Sequence, residues 1–171
     1  GIHPDYGVPG IEASTGALGH GLSMALGMAY AEKSKGGDGL VYCVMSDGEV
    51  QEGSTWEATL IASSIGVSNL VAFIDNNDFQ SLGRTSVTHP SFYPVKDKYE
   101  SFGWERVELD GHDTKAIVDA VTGRRGDRPV MVVCKTTKGK GVSYMEDEPI
   151  WHYRSPNKEE YEIALRELAE S

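Results

Sequence analysis

Short apolar runs recur along the chain, and each has the length of a single strand. Three of them are strongly apolar: LVYCVM (40–45), NLVAFID (69–75) and PVMVVCKT (129–136). Continuous runs of this length are typical of strands that are covered on both faces of a sheet. A further strand is predicted at WERVEL (104–109).

Segments with helical spacing alternate with these strands along the chain. The first of them is GALGHGLSMALGMAYAEKSK (16–35), and Gly36 and Gly37 are expected to end it. Its small and apolar residues fall on one face of the predicted helix, namely Leu18, Leu22, Leu26 and Ala29. This face is expected to pack on the sheet.

Helix start signals mark three later segments. Ser54 is predicted to be the N-cap of STWEATLIASSIG, with Glu57 completing a capping box. Asp113 begins DTKAIVDAVTGRR, and Asn157 caps the amphipathic segment NKEEYEIALRELAES. A short helix is also predicted at VKDKYESFG, whereas residues 78–94 show no periodicity and are predicted to form a long loop.

Strands that alternate with helices predict an α/β fold. In such a fold the sheet is mainly parallel, and helices cover both of its faces. No internal repeat, low-complexity tract or interdomain linker is visible in the sequence. The length of 171 residues fits one domain, so residues 1–171 are expected to form a single domain.

Composition and charge narrow the class of protein. With 39% hydrophobic and 25% charged residues the chain is typical of a globular protein, and its net charge of −10 argues against binding nucleic acid or an anionic membrane. No apolar run approaches the roughly 20 residues that span a bilayer. Cys43 and Cys134 both lie in apolar strands, which favours free thiols in a reducing compartment, and we expect a cytoplasmic protein.

Polar residues follow the first two apolar strands. Asp47 comes after the first, and Asn76 and Asn77 come after the second. Because a βαβ crossover makes the two strands parallel and neighbouring strands lie about 4.8 Å apart, both turns open on the same edge of the sheet. This is the edge at which open α/β sheets bind ligands.

The residue types at this edge suit a cation and a phosphate. A carboxylate from Asp47 and an amide oxygen from Asn77 are hard ligands for Mg²⁺ or Ca²⁺, which commonly keep phosphate oxygens in the rest of the shell. Gly48 leaves its backbone N–H open to an anion. The combination predicts a diphosphate held through a divalent cation, although Asp-Gly and Asn-Asn are also ordinary turn formers.

Several motifs resemble one family in the correct order along essentially the whole chain. They are HPDYGVPGIEASTGALGHGLSMALGMA, SDGEVQEGSTWEA, DNNDFQSLG, KTTKGKG and WHYRSPN. Together they resemble the amino-terminal domain of transketolase, which binds the diphosphate of thiamine diphosphate. The resemblance implies the thiamine-diphosphate-binding fold for this chain. An upstream segment of the family domain is expected to be missing from residues 1–171.

The resemblance implies a ligand set at the edge of the sheet. Asp47 and Asn77 would ligate Mg²⁺ (or Ca²⁺) by their side chains, and Phe79 would do so by its backbone carbonyl. Asn77 would also contact the cofactor, and Gly48 would donate its N–H to the diphosphate. The alternative for Phe79 is a core aromatic, a role that its ring can fill at the same time.

The resemblance also implies contacts to the rest of the cofactor. Gly16, Ala17 and Leu18 match the family's segment beside the thiazolium and aminopyrimidine rings. His152 matches a histidine near the diphosphate and the reacting centre. The alternatives are an ordinary glycine-rich helix start for the segment and a surface position for His152.

Two further catalytic roles follow from the same resemblance. His3 matches the histidine that contacts the hydroxyl groups of the donor substrate. Glu52 lies where the family has an acidic residue at the interface between protomers, thought to help link paired active sites. A surface histidine and a solvated glutamate at a helix start are the alternatives for these two.

The implied activity is the transfer of a two-carbon ketol unit from a ketose or ketose phosphate to an aldose. In this family a glutamate of a second, pyrimidine-binding domain activates the cofactor. That domain is not in this sequence, so the expected partner is a separate carboxy-terminal transketolase subunit, in a heterotetramer or a homodimer of halves. The alternatives are a related enzyme (1-deoxyxylulose-5-phosphate synthase or the first component of a 2-oxo acid dehydrogenase) and a non-catalytic subunit.

Overall fold

Four parallel strands form the central sheet of the protein. The structure is a computed structural model, and it describes residues 3–81 and 83–170. The described residues form six strands in all, namely β1 (Val41–Ser46), β2 (Leu70–Asn76), β3 (Phe79–Gln80), β4 (Gly83–Arg84), β5 (Glu105–Asp110) and β6 (Val130–Lys135). The central sheet has the order β1-β2-β6-β5 with every pair parallel, and β3 and β4 form a small antiparallel hairpin. The predicted parallel sheet is confirmed.

Six α-helices accompany the strands in the described residues. They are α1 (Gly21–Ser34), α2 (Gly53–Ser64), α3 (Thr85–Thr88), α4 (Val95–Ser101), α5 (Thr114–Thr122) and α6 (Lys158–Glu170). Short 3₁₀ turns occur at Glu49–Gln51, Pro90–Phe92 and Pro149–His152. The helix α2 makes the crossover from β1 to β2, which places the carboxyl ends of both strands at one edge.

Helices pack on both faces of the sheet. On one face, buried residues of α1, α2 and α4 join the inward side chains of the strands, and the indole of Trp104 donates to the backbone carbonyl of Thr59 (2.9 Å). On the other face, Val130 and Val132 pack against Ile117 of α5. Both cysteines are buried free thiols. Among the described helices, none has the length and apolar character to cross a membrane.

Two predicted helix starts are correct because their caps are local. The Asp113 carboxylate accepts from the N–H of Ala116 (3.0 Å) at the start of α5. At α6, the Asn157 side chain accepts from the N–H of Glu160 (2.9 Å), whose carboxylate accepts in return from the N–H of Asn157 (2.8 Å). Each pair of partners lies three positions apart, so these caps can form in an isolated segment.

Two other predicted helix starts are wrong, because contacts between distant segments decide them. The helix α1 begins at Gly21 rather than at residue 16, and Leu18 lies outside it with 57% of its surface exposed. Gly19 has φ +78°, a left-handed conformation that interrupts a helix. The hydroxyl of Ser54 donates to the carbonyl of Gly19 (2.8 Å) instead of capping α2, which begins at Gly53.

The predicted loop at 78–94 is replaced by short regular elements. The β3–β4 hairpin, α3 and a 3₁₀ turn fill most of it. Asp78 organises this segment, since its carboxylate accepts from the N–H (2.7 Å) and the hydroxyl (2.8 Å) of Ser86 at the start of α3. Arg84 also pairs with this carboxylate at 3.3 Å. None of these contacts produces a hydrophobic period, which is why the pattern did not reveal them.

Candidate functional site

Asp47 lies immediately after β1 and is completely buried, with 0% of its surface exposed. Its Oδ2 accepts from the N–H of Asp78 (2.7 Å) and, at 3.4 Å, from the hydroxyl of Thr85. Its Oδ1 is also buried, and it has no hydrogen-bond partner among the described residues. A buried carboxylate oxygen without a partner is costly, and a bound cation would remove that cost.

The surroundings of Asp47 oppose its ionisation. Burial raises the pKa of its carboxyl to about 6, and the negative charge of Asp75 adds to the rise. The positive ends of the backbone N–H groups of Asp78 and Gly48 act in the opposite direction and lower the pKa. A divalent cation near the carboxylate would favour its charged form.

Asn77 lies in the turn after β2 and is held through both ends of its amide. Its Oδ1 accepts from the N–H of Phe79 (2.8 Å), and its Nδ2 donates to the Asp75 carboxylate (3.2 Å). Because Asp78, the next residue, bonds to Asp47, the turns after β1 and β2 meet at one edge, as the strand order predicts. The Phe79 ring is buried under the guanidinium of Arg84, 4.4 Å from the ring centroid.

The groups at this edge fit a hard divalent cation that also binds oxygen atoms of another molecule. The described residues contain no cluster of three or more His, Cys, Asp and Glu side chains that could hold a metal ion. The available donors are instead one carboxylate (Asp47), one amide oxygen (Asn77) and backbone carbonyls such as that of Phe79. Such a set leaves positions of an octahedral shell for phosphate oxygens and water.

Gly48 follows Asp47 and precedes the 3₁₀ turn Glu49–Gln51. Its φ of −64° is ordinary for any residue. The constraint here is space, because an added Cβ would lie 3.2 Å from the Cβ of Gln80. Its backbone N–H lowers the pKa of the Asp47 carboxyl.

The predicted cofactor segment and His3 line a common cleft. Gly16, Ala17, Leu18 and His3 contribute to a cavity of about 910 Å³ between residues 3–18, α1 and β1. The ring of His3 packs on Gly16, since an added Cβ there would lie 3.1 Å from its Cδ2. The sequence order alone could not show that the two would touch.

A glutamate that the sequence pattern did not single out joins this cleft to the Asp47 turn. Glu49 accepts from the N–H of Gly19 through its Oε1 (3.0 Å), and its own N–H donates to the hydroxyl of Ser46 (3.0 Å). Glu52, the acidic residue that the family resemblance indicates, is exposed, and its Cβ packs beside Gly19. The carboxylate that organises the start of α1 is therefore that of Glu49.

His152 ends the 3₁₀ turn Pro149–His152, and its side chain is exposed. Its ring lies edge-on to that of Tyr153, with centroids 4.8 Å apart. The hydroxyl of Tyr153 donates to the carbonyl of Ser81 (3.0 Å), so this turn lies beside the β3–β4 hairpin that follows Asn77. The fold brings His152 to the same side as the two turns, 75 positions after Asn77 in the chain.

The contact between Gly19 and α2 yields a testable prediction. We expect Gly19→Ala to destabilise the chain by about 2 to 4 kcal/mol, since the residue has φ +78° and an added Cβ would lie 2.5 Å from the Cβ of Glu52. Gly27→Ala is the matched control, because Gly27 lies inside α1 with nothing within 4 Å of an added Cβ. The control should gain about 0.5 to 1 kcal/mol. Urea unfolding measures both, and equal effects would contradict the close packing of Gly19.

Comparison with known proteins identifies the family. Residues 1–167 match the family described as transketolase, thiamine diphosphate binding domain. A subunit of the apulose-4-phosphate transketolase of Phocaeicola vulgatus is 42% identical over 98% of this chain, and a 6-deoxy-6-sulfo-D-fructose transketolase subunit of a Clostridium species is 38% identical over 93%. The chain spans 60% and 58% of the length of these two relatives.

The fold agrees with this sequence match. The crystal structure of transketolase from Campylobacter jejuni superimposes with a TM-score of 0.86 and 27% identity, over 93% of this chain and 26% of that one. The parallel sheet, its helices and the order of its elements are therefore those of a transketolase domain. The chain belongs to the transketolase family, in its thiamine diphosphate binding domain.

Proposed function

We propose that this chain is the diphosphate-binding half of a transketolase that depends on thiamine diphosphate and Mg²⁺. It would take part in the transfer of a two-carbon ketol unit from a ketose or ketose phosphate to an aldose. The observation that carries the proposal is the buried Asp47 carboxylate at the edge where β1 and β2 end, one oxygen of which has no partner in the described part of the chain. A cation that bridges to a diphosphate supplies what this oxygen lacks.

The proposed cation would be held by the side chains of Asp47 and Asn77 and by the carbonyl of Phe79. Thiamine diphosphate, when bound, supplies the carbanion chemistry that cleaves the bond next to a ketose carbonyl. The role of these residues is to hold the diphosphate end, so that the reacting ring is directed toward the cleft. Gly48, which has no side chain to block an anion, would donate its backbone N–H to the diphosphate.

The cleft residues are proposed to hold the rest of the cofactor and the substrate. The loop of Gly16, Ala17 and Leu18 offers a small, apolar surface against the rings of the cofactor. His3, packed on Gly16, is available to hydrogen-bond hydroxyl groups of the donor sugar. His152, exposed beside the hairpin, is available to hydrogen-bond a phosphate or move a proton.

We also propose that the chain acts with a carboxy-terminal transketolase subunit that carries the pyrimidine-binding domain, as a heterotetramer or as a homodimer of halves. Relatives of this chain are named as single subunits of a transketolase, which implies a further subunit in those proteins. Exposed apolar side chains on α1, on α2 and directly after α2 suit such a contact, namely Met24, Met28, Leu60, Ile61 and Ile65. Glu52, exposed at the start of α2, is proposed to lie at this interface.

Calorimetry with thiamine diphosphate tests the proposed function. We expect the purified chain to bind the cofactor in the presence of Mg²⁺ and to bind it at least about tenfold more weakly in EDTA, because the cation neutralises the charge between carboxylate and diphosphate. Thiamine without phosphates is the control ligand and should show no dependence on Mg²⁺. Absence of binding at millimolar cofactor with Mg²⁺ would overturn the proposal, as would binding that Mg²⁺ does not change.

A further inference from the structure

We propose that Thr136 is a positioning residue for the cation site and acts on Asn77 through the carboxylate of Asp75. The inference rests on the proposed function, since it takes Asn77 as a ligand of the cation. Thr136 follows β6, the strand that pairs with β2, and it lies 59 positions after Asn77 in the chain. Neither Thr136 nor Asp75 belongs to the proposed ligand set.

Three hydrogen bonds connect Thr136 to the turn that holds Asn77. The hydroxyl of Thr136 donates to Oδ1 of Asp75. The other oxygen of that carboxylate, Oδ2, accepts from the amide Nδ2 of Asn77 (3.2 Å). The amide oxygen of Asn77 then accepts from the N–H of Phe79 (2.8 Å). We call these residues the Thr136–Asp75–Asn77 relay.

The direction of these bonds selects one orientation of the Asn77 amide. A carboxylate only accepts and a backbone N–H only donates, so the NH₂ group must face Asp75 and the oxygen must face Phe79. A flipped amide would place oxygen against oxygen and NH₂ against N–H, losing both bonds. Only the oxygen of the amide can ligate a cation, and it retains a second lone pair for that purpose.

Asp75 also ties this turn to the other one. Its backbone carbonyl accepts from the N–H of Asp47 (3.1 Å), which extends the pairing of β1 and β2 by one bond. The same residue therefore holds the main chain at Asp47 and the side chain of Asn77. Outer residues that orient metal ligands in this way typically change metal affinity by 10- to 100-fold when they are altered.

Packing holds Thr136 in the orientation that the relay needs. An added Cβ at Gly111, just after β5, would lie 2.4 Å from the Cγ2 of Thr136, so the methyl group is packed against Gly111 while the hydroxyl faces Asp75. Gly111 donates its N–H to the carbonyl of Lys135 (2.8 Å), and the next N–H after Thr136, that of Thr137, donates to Nε2 of His112 (2.9 Å). A β-branched residue is stiff at χ1, which suits this task.

Two substitutions separate the effect of the Thr136 hydroxyl from the effect of its methyl group. Thr136→Val keeps the methyl group and the shape but removes the donor to Asp75. Thr136→Ser keeps the donor and removes the methyl group. Thr122→Val is a matched control, because the hydroxyl of Thr122 is exposed on α5 and donates to the carbonyl of Val118 (3.0 Å). Thermal unfolding of each variant identifies any general loss of structure.

The first measurement needs no cofactor. In a ¹⁵N spectrum of the cofactor-free chain, the side-chain NH₂ signals of Asn77 are the pair that disappears in Asn77→Ala. We expect Thr136→Val to move this pair and Thr136→Ser to restore it, with no change in Thr122→Val. An unmoved pair in Thr136→Val would overturn the relay whether or not the chain binds the cofactor.

The second measurement is the affinity for thiamine diphosphate with Mg²⁺. We expect about tenfold weaker binding in Thr136→Val and binding within about threefold of wild type in Thr136→Ser. In an Asn77→Ala background, Thr136→Val should have no further effect, since it acts through Asn77. Wild-type affinity in Thr136→Val, or a full tenfold loss in that background, would overturn the relay and leave the proposed function intact. A wild-type chain that does not bind the cofactor would overturn the proposed function instead.

Discussion

Asp47→Asn is expected to abolish Mg²⁺-dependent binding of thiamine diphosphate while it stabilises the cofactor-free chain. The substitution removes the one charged ligand of the proposed site, so affinity should fall by about 100-fold or more. The same change removes a buried charge whose Oδ1 has no partner among the residues that the structure describes, and this should raise the free energy of unfolding by about 1 to 2 kcal/mol. A residue that only supported packing would lower it.

The gain in stability should depend on pH in a defined direction. The pKa of Asp47 is raised from 3.8 to about 6 in the folded chain. Because the folded chain binds the Asp47 proton more tightly than the unfolded chain does, protonation of Asp47 stabilises the fold. This stabilisation is fully present below about pH 4 and is lost as the pH rises through 6. At most about 3 kcal/mol is lost by pH 7.5, and this figure is the upper limit of the gain expected for Asp47→Asn. The advantage of Asp47→Asn should therefore be larger at pH 8 than at pH 4.5.

Urea unfolding at the two pH values and calorimetry with cofactor measure these effects. Asp119→Asn is the control, since Asp119 is an exposed acid on α5 that pairs with Lys115, and neither measurement should change. Asp47→Ala should lose cofactor binding as well, and Asn77→Ala should lose it less completely, because an amide carries no charge. Unchanged affinity in Asp47→Asn would remove Asp47 from the proposed site.

The second large effect concerns catalysis by the chain without a partner. Saturated with thiamine diphosphate and Mg²⁺, the purified chain is expected to show no measurable ketol transfer. Leu18 lines the cleft beside Gly16 and is proposed to face the cofactor, yet 57% of its surface is exposed. The resemblance to transketolase assigns the other wall of this pocket, together with the activating glutamate, to a pyrimidine-binding domain.

A coupled assay with several ketose phosphates and a reactive aldehyde measures this activity. Addition of a carboxy-terminal transketolase subunit from the same organism should restore turnover, and light scattering should show that the two chains associate. The mixture that contains Asp47→Asn is the control and should form the complex without turnover. Robust turnover by the chain alone would show that the catalytic groups lie within it, and a chain that never associates would contradict the proposed partnership.

The order and type of the main elements could be predicted from the sequence. Apolar runs and helical spacing are local patterns, and they placed all four strands of the central sheet and the helices that cover it. The caps at Asp113 and Asn157 were predicted correctly for the same reason, since donor and acceptor lie three positions apart. The meeting of the Asp47 and Asn77 turns followed from the parallel direction of the two strands that a βαβ crossover joins.

What the sequence did not reveal depends on contacts between distant positions. Ser54 bonds to Gly19 instead of capping its helix, and Glu49 holds the start of α1 from 30 positions away. Neither contact leaves a period or a local motif, so the predicted starts of α1 and α2 were wrong. In the segment 78–94, side chains around Asp78 create short elements that no hydrophobic pattern marks.

Some features of the candidate site could likewise be predicted from the sequence, and others could not. The residue types that suit a cation, Asp47 and Asn77, are visible in the sequence because their side chains follow strand ends. The buried Oδ1 of Asp47, the raised pKa of its carboxyl and the bond from Thr136 to Asp75 exist only in the folded chain. The first two arise from the burial of Asp47, and the third joins residues that lie 61 positions apart in the sequence. Only the tertiary structure determines burial and contacts between such distant residues.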